Sequence, residues 1–288
     1  MSGSVSAVIV NYNARDHLIA CVESLRAEGV TDIVVADNAS VDGSEAAMVA
    51  ADPDVTYVQT GNNLGYGTGM NRGAAAADRS AAYLLVLNPD TVVQPGAVKA
   101  LVDALEAAPR RGIVGPRIED LDGRLYPSPR AFPRMTDAIG HAALGLIAPR
   151  NRFTRRYRML EWDRASTADV DWVSGSCFLA RREAWDDVGG FDESYFMYAE
   201  DLDLCWRLKR CGWTVCFEPS ATVMHVQGVS AGRHPYRMIL EHHRALLRFA
   251  ARTTEGPARA VLPLVAVGLL ARVPLAWLHR VLVGGRVK

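Results

Sequence analysis

The sequence predicts an α/β fold, a mainly parallel central sheet with helices on both faces. Three observations predict it. Short β-rich runs alternate with helical patterns through the first 118 residues, the signature of a sheet built by crossover connections. One run, "LLVL" at 84–87, carries four apolar residues straight into Asn88, Pro89 and Asp90, so a strand that reads as buried stops on a carboxylate. The other runs also end on polar residues, Asn11 and Asp37. Ligands of such sheets bind beyond the carboxyl ends of the strands, so Asn11, Asp37, Asn88 and Asp90 are expected at one rim.

The elements follow in order. "VSAVIVN" is a strand, and 14–28 is a helix with Leu18, Cys21, Val22 and Leu25 on one face. "DIVVAD" is the second strand and "SVDGSEAAMVAA" the second helix. "DVTYVQT" is the third strand, followed by a glycine-rich turn and an Ala-rich helix over 71–79. "AAYLLVLN" is the fourth, with its helix at 95–107, and "GIVGPR" the fifth. Residues 124–164 hold Pro127, Pro129, Pro133 and Pro149, many arginines and no period, which predicts loops and short helices. From Asp169 the pattern predicts a strand, a helix, a turn, a second helix and two short strands ending near His225. No internal repeat is visible.

Hydrophobic residues make up 49% of the 288, enough for a sizeable core, and the net charge is zero, which argues against a nucleic-acid binder. That balance hides an asymmetry. From Arg233 to Lys288 there are ten Lys and Arg against only Glu241 and Glu255. The tail contains two helical stretches, 235–252 and 257–282, and the second carries twelve uncharged residues before Arg272. A spanning helix needs about 20 apolar residues. With Pro263 and Pro274 expected to break this one, a helix lying in the membrane plane or docked on the body is the expectation. The basic charge favours an anionic membrane surface as partner. The five cysteines form no CxxC pair, and the first residues carry no basic region ahead of their apolar run. Reduced thiols and no signal peptide are therefore expected.

The motifs each admit a bland alternative. "GNNLGYGTGMNRG" departs from G-x-G-x-x-G and follows the third strand, which argues against a dinucleotide oxidoreductase. It is either a flexible cap or a backbone that approaches a nucleotide closely. "NPDT" is good turn chemistry, yet its place at the rim suits a hard cation held by Asp90. Glu200 and Asp201 stand at a helix start, where the dipole alone favours acids; adjacent acids under the aromatic cover "YFMY" also suit a general base. His225 ends a strand as either a hydrogen-bonding residue or a metal ligand. Trp172 is either core or a sugar-stacking platform.

Taken in order, "VIVNYN", "VVADNASVDGS", "NLGYGTGMNRG", "LLVLNPDT", the stretch from "WVSGSCFLA" to "RCGW" and "ATVMHVQG" resemble the family 2 glycosyltransferases of GT-A fold, over roughly residues 5–229. Within that family the chain is most similar to the rhamnosyltransferase-like branch. The resemblance implies that Asn11 and Tyr12 touch the nucleotide, and that Asp37, with Asn38 beside it, reads the pyrimidine or ribose. It implies that Gly65, Tyr66 and Asn71 line the base and ribose side. Asn88 and Asp90 take the place of the family's metal motif for Mg²⁺ or Mn²⁺, with His225 as a later ligand. The motif is often Asp-x-Asp, and Asn88 leaves it a single carboxylate. Asp201 corresponds to the catalytic base, with Glu200 the alternative, and Trp172, Ser174 and Gly175 lie on the acceptor side. The implied donor is a dTDP-sugar, dTDP-L-rhamnose in that branch, and the implied acceptor a polyprenyl-diphosphate-linked N-acetylglucosamine. The implied setting is the cytoplasmic face of the plasma membrane. A UDP-sugar donor and a non-catalytic nucleotide-sugar binding module are the competing expectations. The expected division is a catalytic domain at 1–232, split near 118 and 168, and a membrane-associating tail at 233–288. Oligomeric state is not legible.

Overall fold

The computed structural model describes residues 3–132, 165–226 and 235–283, together with 148, 151, 152 and 155. Ten strands form one mixed sheet: β1 (Val5–Asn11), β2 (Asp32–Asp37), β3 (Thr56–Gln59), β4 (Tyr83–Leu87), β5 (Thr91–Val93), β6 (Arg111–Glu119), β7 (Leu125–Tyr126), β8 (Ala168–Val170), β9 (Cys177–Arg181) and β10 (Thr214–His225). Their order is β3-β2-β1-β4-β9-β6-β10-β5, with β7 beside β6 and β8 beside β10. β3, β2, β1 and β4 are mutually parallel, as the alternating pattern predicts. β9 then enters antiparallel between β4 and β6.

The helices are α1 (Arg15–Ala27), α2 (Ser44–Ala51), α3 (Tyr66–Ala76), α4 (Ala97–Glu106), α5 (Arg182–Val188), α6 (Glu200–Arg210), α7 (Pro235–Thr253) and α8 (Leu262–Val283). Successive strand residues point to opposite faces, so one face gathers Ala7, Ile9, Ile33, Val35, Leu85 and Leu87 under α1, α2 and α4. The other gathers Val8, Val10, Val34, Ala36, Leu84 and Val86 under α3, α5 and α6. Because both faces are covered, these strands read as continuous apolar runs. Truncating a fully buried Leu18 or Leu85 to alanine costs about 2–5 kcal/mol.

Four expectations are corrected. The short strand β5 was unforeseen; it pairs antiparallel with β10. The helix expected at 71–79 begins at Tyr66 and ends at Ala76, so most of the glycine-rich stretch is helical. The two strands expected before His225 are one long strand, β10, with a register shift between Glu218 and Thr222. Pro274 does not break α8, which runs through it for 22 residues, and Pro263 stands in its first turn. Of the loop region expected at 124–164, the described part includes β7 and a bridge from Arg130 to Trp172. Most of the rest lies outside the described residues.

Candidate active site

Strand register assembles the rim. β1 and β2 pair so that Asn11 lies beside Asp37. β5 and β10 pair so that Thr91 faces His225, which brings His225 against the Asn88–Asp90 turn from 137 residues away in sequence. The turn is held from below: the Asn88 carbonyl accepts from Thr91 Oγ1 at 2.7 Å and from Cys21 Sγ at 3.7 Å, and the Val226 amide donates to the Asp90 carbonyl at 3.0 Å.

His225 Nε2 lies 3.1 Å from Asp90 Oδ1, and both side chains are almost fully buried. Asn88 Nδ2 is 3.3 Å from the same nitrogen. An Asn88 N–H can donate to Nε2 only when that nitrogen carries no proton, which is the tautomer a metal also needs. At 3.1 Å an Nε2–H can donate to Asp90 Oδ1; with Nε2 unprotonated, that nitrogen and the Asp90 oxygen lie close enough to ligate one cation together. One carboxylate and one imidazole fit a divalent ion that takes its remaining ligands from a diphosphate and water. Among the described residues no cluster of three His, Cys, Asp or Glu offers a stronger metal site.

The residues expected on the nucleotide side form a buried hydrogen-bonded group. Asp37 Oδ2 accepts from Asn11 Nδ2 at 2.7 Å and from the Tyr57 hydroxyl at 2.6 Å; its Oδ1 accepts from the Ser40 amide at 2.6 Å. Asn11 Nδ2 also donates to Ser40 Oγ at 3.0 Å, whereas Asn11 Oδ1 is buried without a hydrogen-bond partner. Such an oxygen is an acceptor that a ligand N–H can satisfy. Asn38 Nδ2 donates to the Gly65 carbonyl at 2.9 Å, which ties the second strand's end to the start of α3. Gly65 has φ +87°, and a Cβ there would lie 2.2 Å from the Phe196 carbonyl oxygen. Only glycine fits that approach. Tyr12 lies beside this group, half-buried.

The carboxylate pair sits at the first turn of α6. The two residues before it, Tyr198 and Ala199, have φ of +72° and +60°, a strained entry that aims Glu200 and Asp201 inward. Asp201 Oδ2 accepts from the Gly175 amide and Oδ1 from the Leu202 amide, each at 2.8 Å. Glu200 is buried with Oε2 unpartnered. Burial, with the neighbouring Asp201 charge, pushes the Glu200 carboxyl up to about 8. Burial also raises Asp201, but two backbone amides and the Arg130 charge oppose that rise. The pair is thus divided: Glu200 holds a proton near neutral pH and Asp201 is the better anion. Tyr66 closes this side, its hydroxyl donating to the Gly175 carbonyl at 2.5 Å. Burial and the Glu200 charge raise the Tyr66 hydroxyl well above its usual range, so it stays a donor.

Two of the expected site residues are placed elsewhere by the structure. Asn71 Nδ2 donates to the Phe191 carbonyl at 2.9 Å and to Glu193 Oε1 at 3.1 Å, while its Oδ1 accepts from the Phe191 amide at 3.0 Å. Its amide is spent clamping the 189–193 turn to α3 rather than facing a base or ribose. Trp172 is 4% exposed, its Nε1 donates to the Ala131 carbonyl, and the Arg130 guanidinium covers its ring at 4.8 Å. It is core with a cationic lid and offers no open face for a sugar. Ser174 and Gly175 do lie beside the carboxylates; Ser174 Oγ pairs with Ser176 Oγ at 3.0 Å.

Sequence reasoning missed Tyr57, Ser40 and Arg130. Tyr57 reads as an ordinary strand residue, and Ser40 as loop. Arg130 Nη2 donates to the Tyr126 hydroxyl at 2.9 Å, and the Tyr126 ring meets His225 edge-on at 6.4 Å. Arg130 thus reaches His225 through the Tyr126 ring, and its charge acts on Asp201. No pattern distinguishes it from the other arginines of its proline-rich segment.

A buried acid–imidazole pair and a buried polar group at the strand rim, together with an amide-anchored carboxylate at the start of α6, suit a sugar transferase. The model of the family described as "Glycosyltransferase like family 2" matches residues 3–240, and the chain belongs to that family. It is 41% identical to an N-acetylglucosaminyl-diphospho-decaprenol L-rhamnosyltransferase of Mycobacterium tuberculosis, over 94% of this chain and 92% of that protein. It is 28% identical to a rhamnosyltransferase of Escherichia coli, over 77% of this chain and 83% of that one. Among solved structures, a Pyrobaculum calidifontis mannosyltransferase in complex with GDP-mannose and Mn²⁺ superposes with a TM-score of 0.57 at 16% identity, covering 100% of this chain and 77% of that one. GalNAc-T7 with UDP, GalNAc and Mn²⁺ superposes with a TM-score of 0.58 at 17% identity, over 77% and 43% of the two chains. These likenesses establish the GT-A fold, and the protein is a glycosyltransferase.

Proposed function

We propose that this glycosyltransferase moves L-rhamnose from dTDP-L-rhamnose to a polyprenyl-diphosphate-linked N-acetylglucosamine, in building a cell-wall linker. The observation that carries the reading is the likeness to the mycobacterial enzyme along nearly the whole of both chains. The site has the parts such a transfer needs. The dTDP pyrimidine and ribose bind beside Asn11, Tyr12, Asp37 and Asn38, where Asn11 Oδ1 awaits a donor. Asp90 and His225, with the Asn88 side chain beside them, would hold Mg²⁺ or Mn²⁺, and the ion would supply Lewis-acid stabilisation of the departing dTDP.

Asp201 takes the proton of the acceptor hydroxyl as that oxygen attacks the anomeric carbon, in a single displacement with inversion. The Gly175 and Leu202 amides orient its carboxylate. Protonated Glu200 keeps a second negative charge away from the leaving diphosphate. The basic tail rests on the cytoplasmic membrane surface, where a lipid-linked acceptor is found.

Calorimetry of dTDP and UDP, each with and without Mn²⁺ or Mg²⁺, tests the donor. Tighter, metal-dependent dTDP binding is expected. A preference for UDP keeps the fold and mechanism but replaces the donor.

A further inference from the structure

The C-terminal helix pair bears on the base in a way that neither the family's shared core nor the sequence motifs describe. α7 lies along the segment that leads into α6. Arg237 covers the Phe196 ring at 4.7 Å, His242 meets the Tyr198 ring edge-on at 5.2 Å, and Arg248 lies 5.7 Å from the Tyr195 ring centre. Arg252 pairs with Asp192 and, at 3.1 Å, with Asp203, whose side chain is fully buried. Phe249 of α7 enters the core beneath the same segment. The segment held in this way contains the strained pair Tyr198 and Ala199, and it delivers Glu200 and Asp201. Its other side abuts the nucleotide cleft, where the Tyr66 amide donates to the Phe196 carbonyl at 2.9 Å. His242, Arg248 and Arg252 all lie beyond the stretch matched by the family model, which ends at 240.

α8 packs on α7 with inverted polarity. Every exposed residue between 263 and 277 is uncharged, and these positions span one continuous half of the helix. Leu264 is 72% exposed, Leu270 66% and Val267 64%. The one charged residue of that stretch, Arg272, turns toward α7, within electrostatic reach of His243, and its Nε is buried. A helix facing water has the opposite arrangement. At 1.5 Å per residue its 22 residues make this apolar face part of a helix about 33 Å long, lying along the membrane surface. Trp277 and Tyr236 meet edge-on at 5.9 Å near one end, an aromatic pair of the kind that sits at a membrane interface. Polarity inversion and the basic tail together select a lipid bilayer as the partner of this face.

We propose that α7 and α8 form a strut by which the bilayer positions the catalytic base: the outer half of α8 seats among acyl chains, and Arg252 with its α7 neighbours clamps residues 192–203. This deepens the lipid-acceptor reading and rests on it. Arg252 is a positioning residue, acting on Asp201 through Asp203 and the first turn of α6.

The test compares the full chain in mild detergent with the same protein reconstituted into vesicles of equal parts phosphatidylglycerol and phosphatidylcholine. Its readouts are flotation with the vesicles and hydrogen exchange of residues 192–203. The wild type is expected to float, and exchange in 192–203 to slow by about fivefold or more on reconstitution. Arg252→Gln is expected to float while losing most of that slowing, and Arg252→Lys to restore it. Leu264→Ser with Leu270→Ser is expected to leave the vesicles. In a transfer assay Arg252→Gln lowers kcat and leaves the donor KM unchanged. Flotation with unaltered exchange in 192–203 overturns the strut. So does a double variant that floats like wild type, or one whose only change is loss of a dimer, which assigns the face to a second copy. Exchange and flotation do not depend on which sugar is transferred, so a failed donor assignment leaves this result readable.

Discussion

His225 Nε2 lies 3.1 Å from Asp90 Oδ1, across the pairing of β5 with β10. Neither residue has a sequence neighbour that explains the contact. With Nε2 unprotonated and released from Asn88, its lone pair and the Asp90 carboxylate can serve one cation, which is the role proposed for them.

Asp90→Ala and His225→Ala are each expected to weaken metal-dependent nucleotide diphosphate binding by 10-fold or more, on the order of 1.4 kcal/mol. Chelation of the wild type is expected to bring its affinity to that of the variants. Calorimetry with and without chelator checks both. A variant that keeps the wild-type metal dependence removes that residue from the metal site.

Asp201→Asn is expected to lower transfer by about 10²–10⁴-fold and to leave dTDP-sugar affinity within a few-fold of wild type, because a base acts on the acceptor proton. Loss of donor binding instead assigns Asp201 to the donor side.

Glu200 gives a pH signature. Its folded carboxyl titrates at about 8 and its unfolded one near the ordinary 4.5. Between those values the unfolded chain has released the proton that the folded chain keeps. Stability therefore falls as pH rises from about 4.5 to 8. Glu200→Gln carries no such proton, and its melting temperature is expected to be flatter over that window. A wild type and a variant with parallel pH profiles contradict the burial argument.

Asn71→Ala separates two roles. As a clamp, it is expected to lose about 1–3 kcal/mol of stability, with the hydrogen bonds to Phe191 and Glu193, and to leave dTDP affinity intact. Loss of nucleotide affinity at unchanged melting temperature restores the base-side role.

What was legible in the sequence follows from which signals are local. The first four strands, α1 and the rim residues Asn11, Asp37 and Asp90 announce themselves by apolar runs ending on polar side chains. The start of α3 is hidden because Gly65, Gly67 and Gly69 are poor helix formers. The fold needs them small: a Cβ on Gly67 meets Phe191 Cβ at 3.0 Å, and one on Gly69 meets Val10 Cγ1 at 3.1 Å. Local propensity yields there to tertiary packing. Pro274 reads as a breaker, yet α8 runs through it, with Leu269 and Val273 of the turn before it buried. An amide such as Asn71 looks the same in sequence whether it holds a ribose or a carbonyl, and Trp172 the same whether core or platform. Only the partners decide, and they lie 120 residues away for Asn71 and at Arg130 for Trp172.

The account stands most directly on one assay: dTDP-L-rhamnose and a polyprenyl-diphospho-N-acetylglucosamine, incubated with the vesicle-bound full chain and Mg²⁺, with lipid products read by mass spectrometry. The account predicts a lipid heavier by one deoxyhexose with the wild type and none with Asp201→Asn. An unaltered lipid with the wild type, or equal product with both proteins, would contradict it.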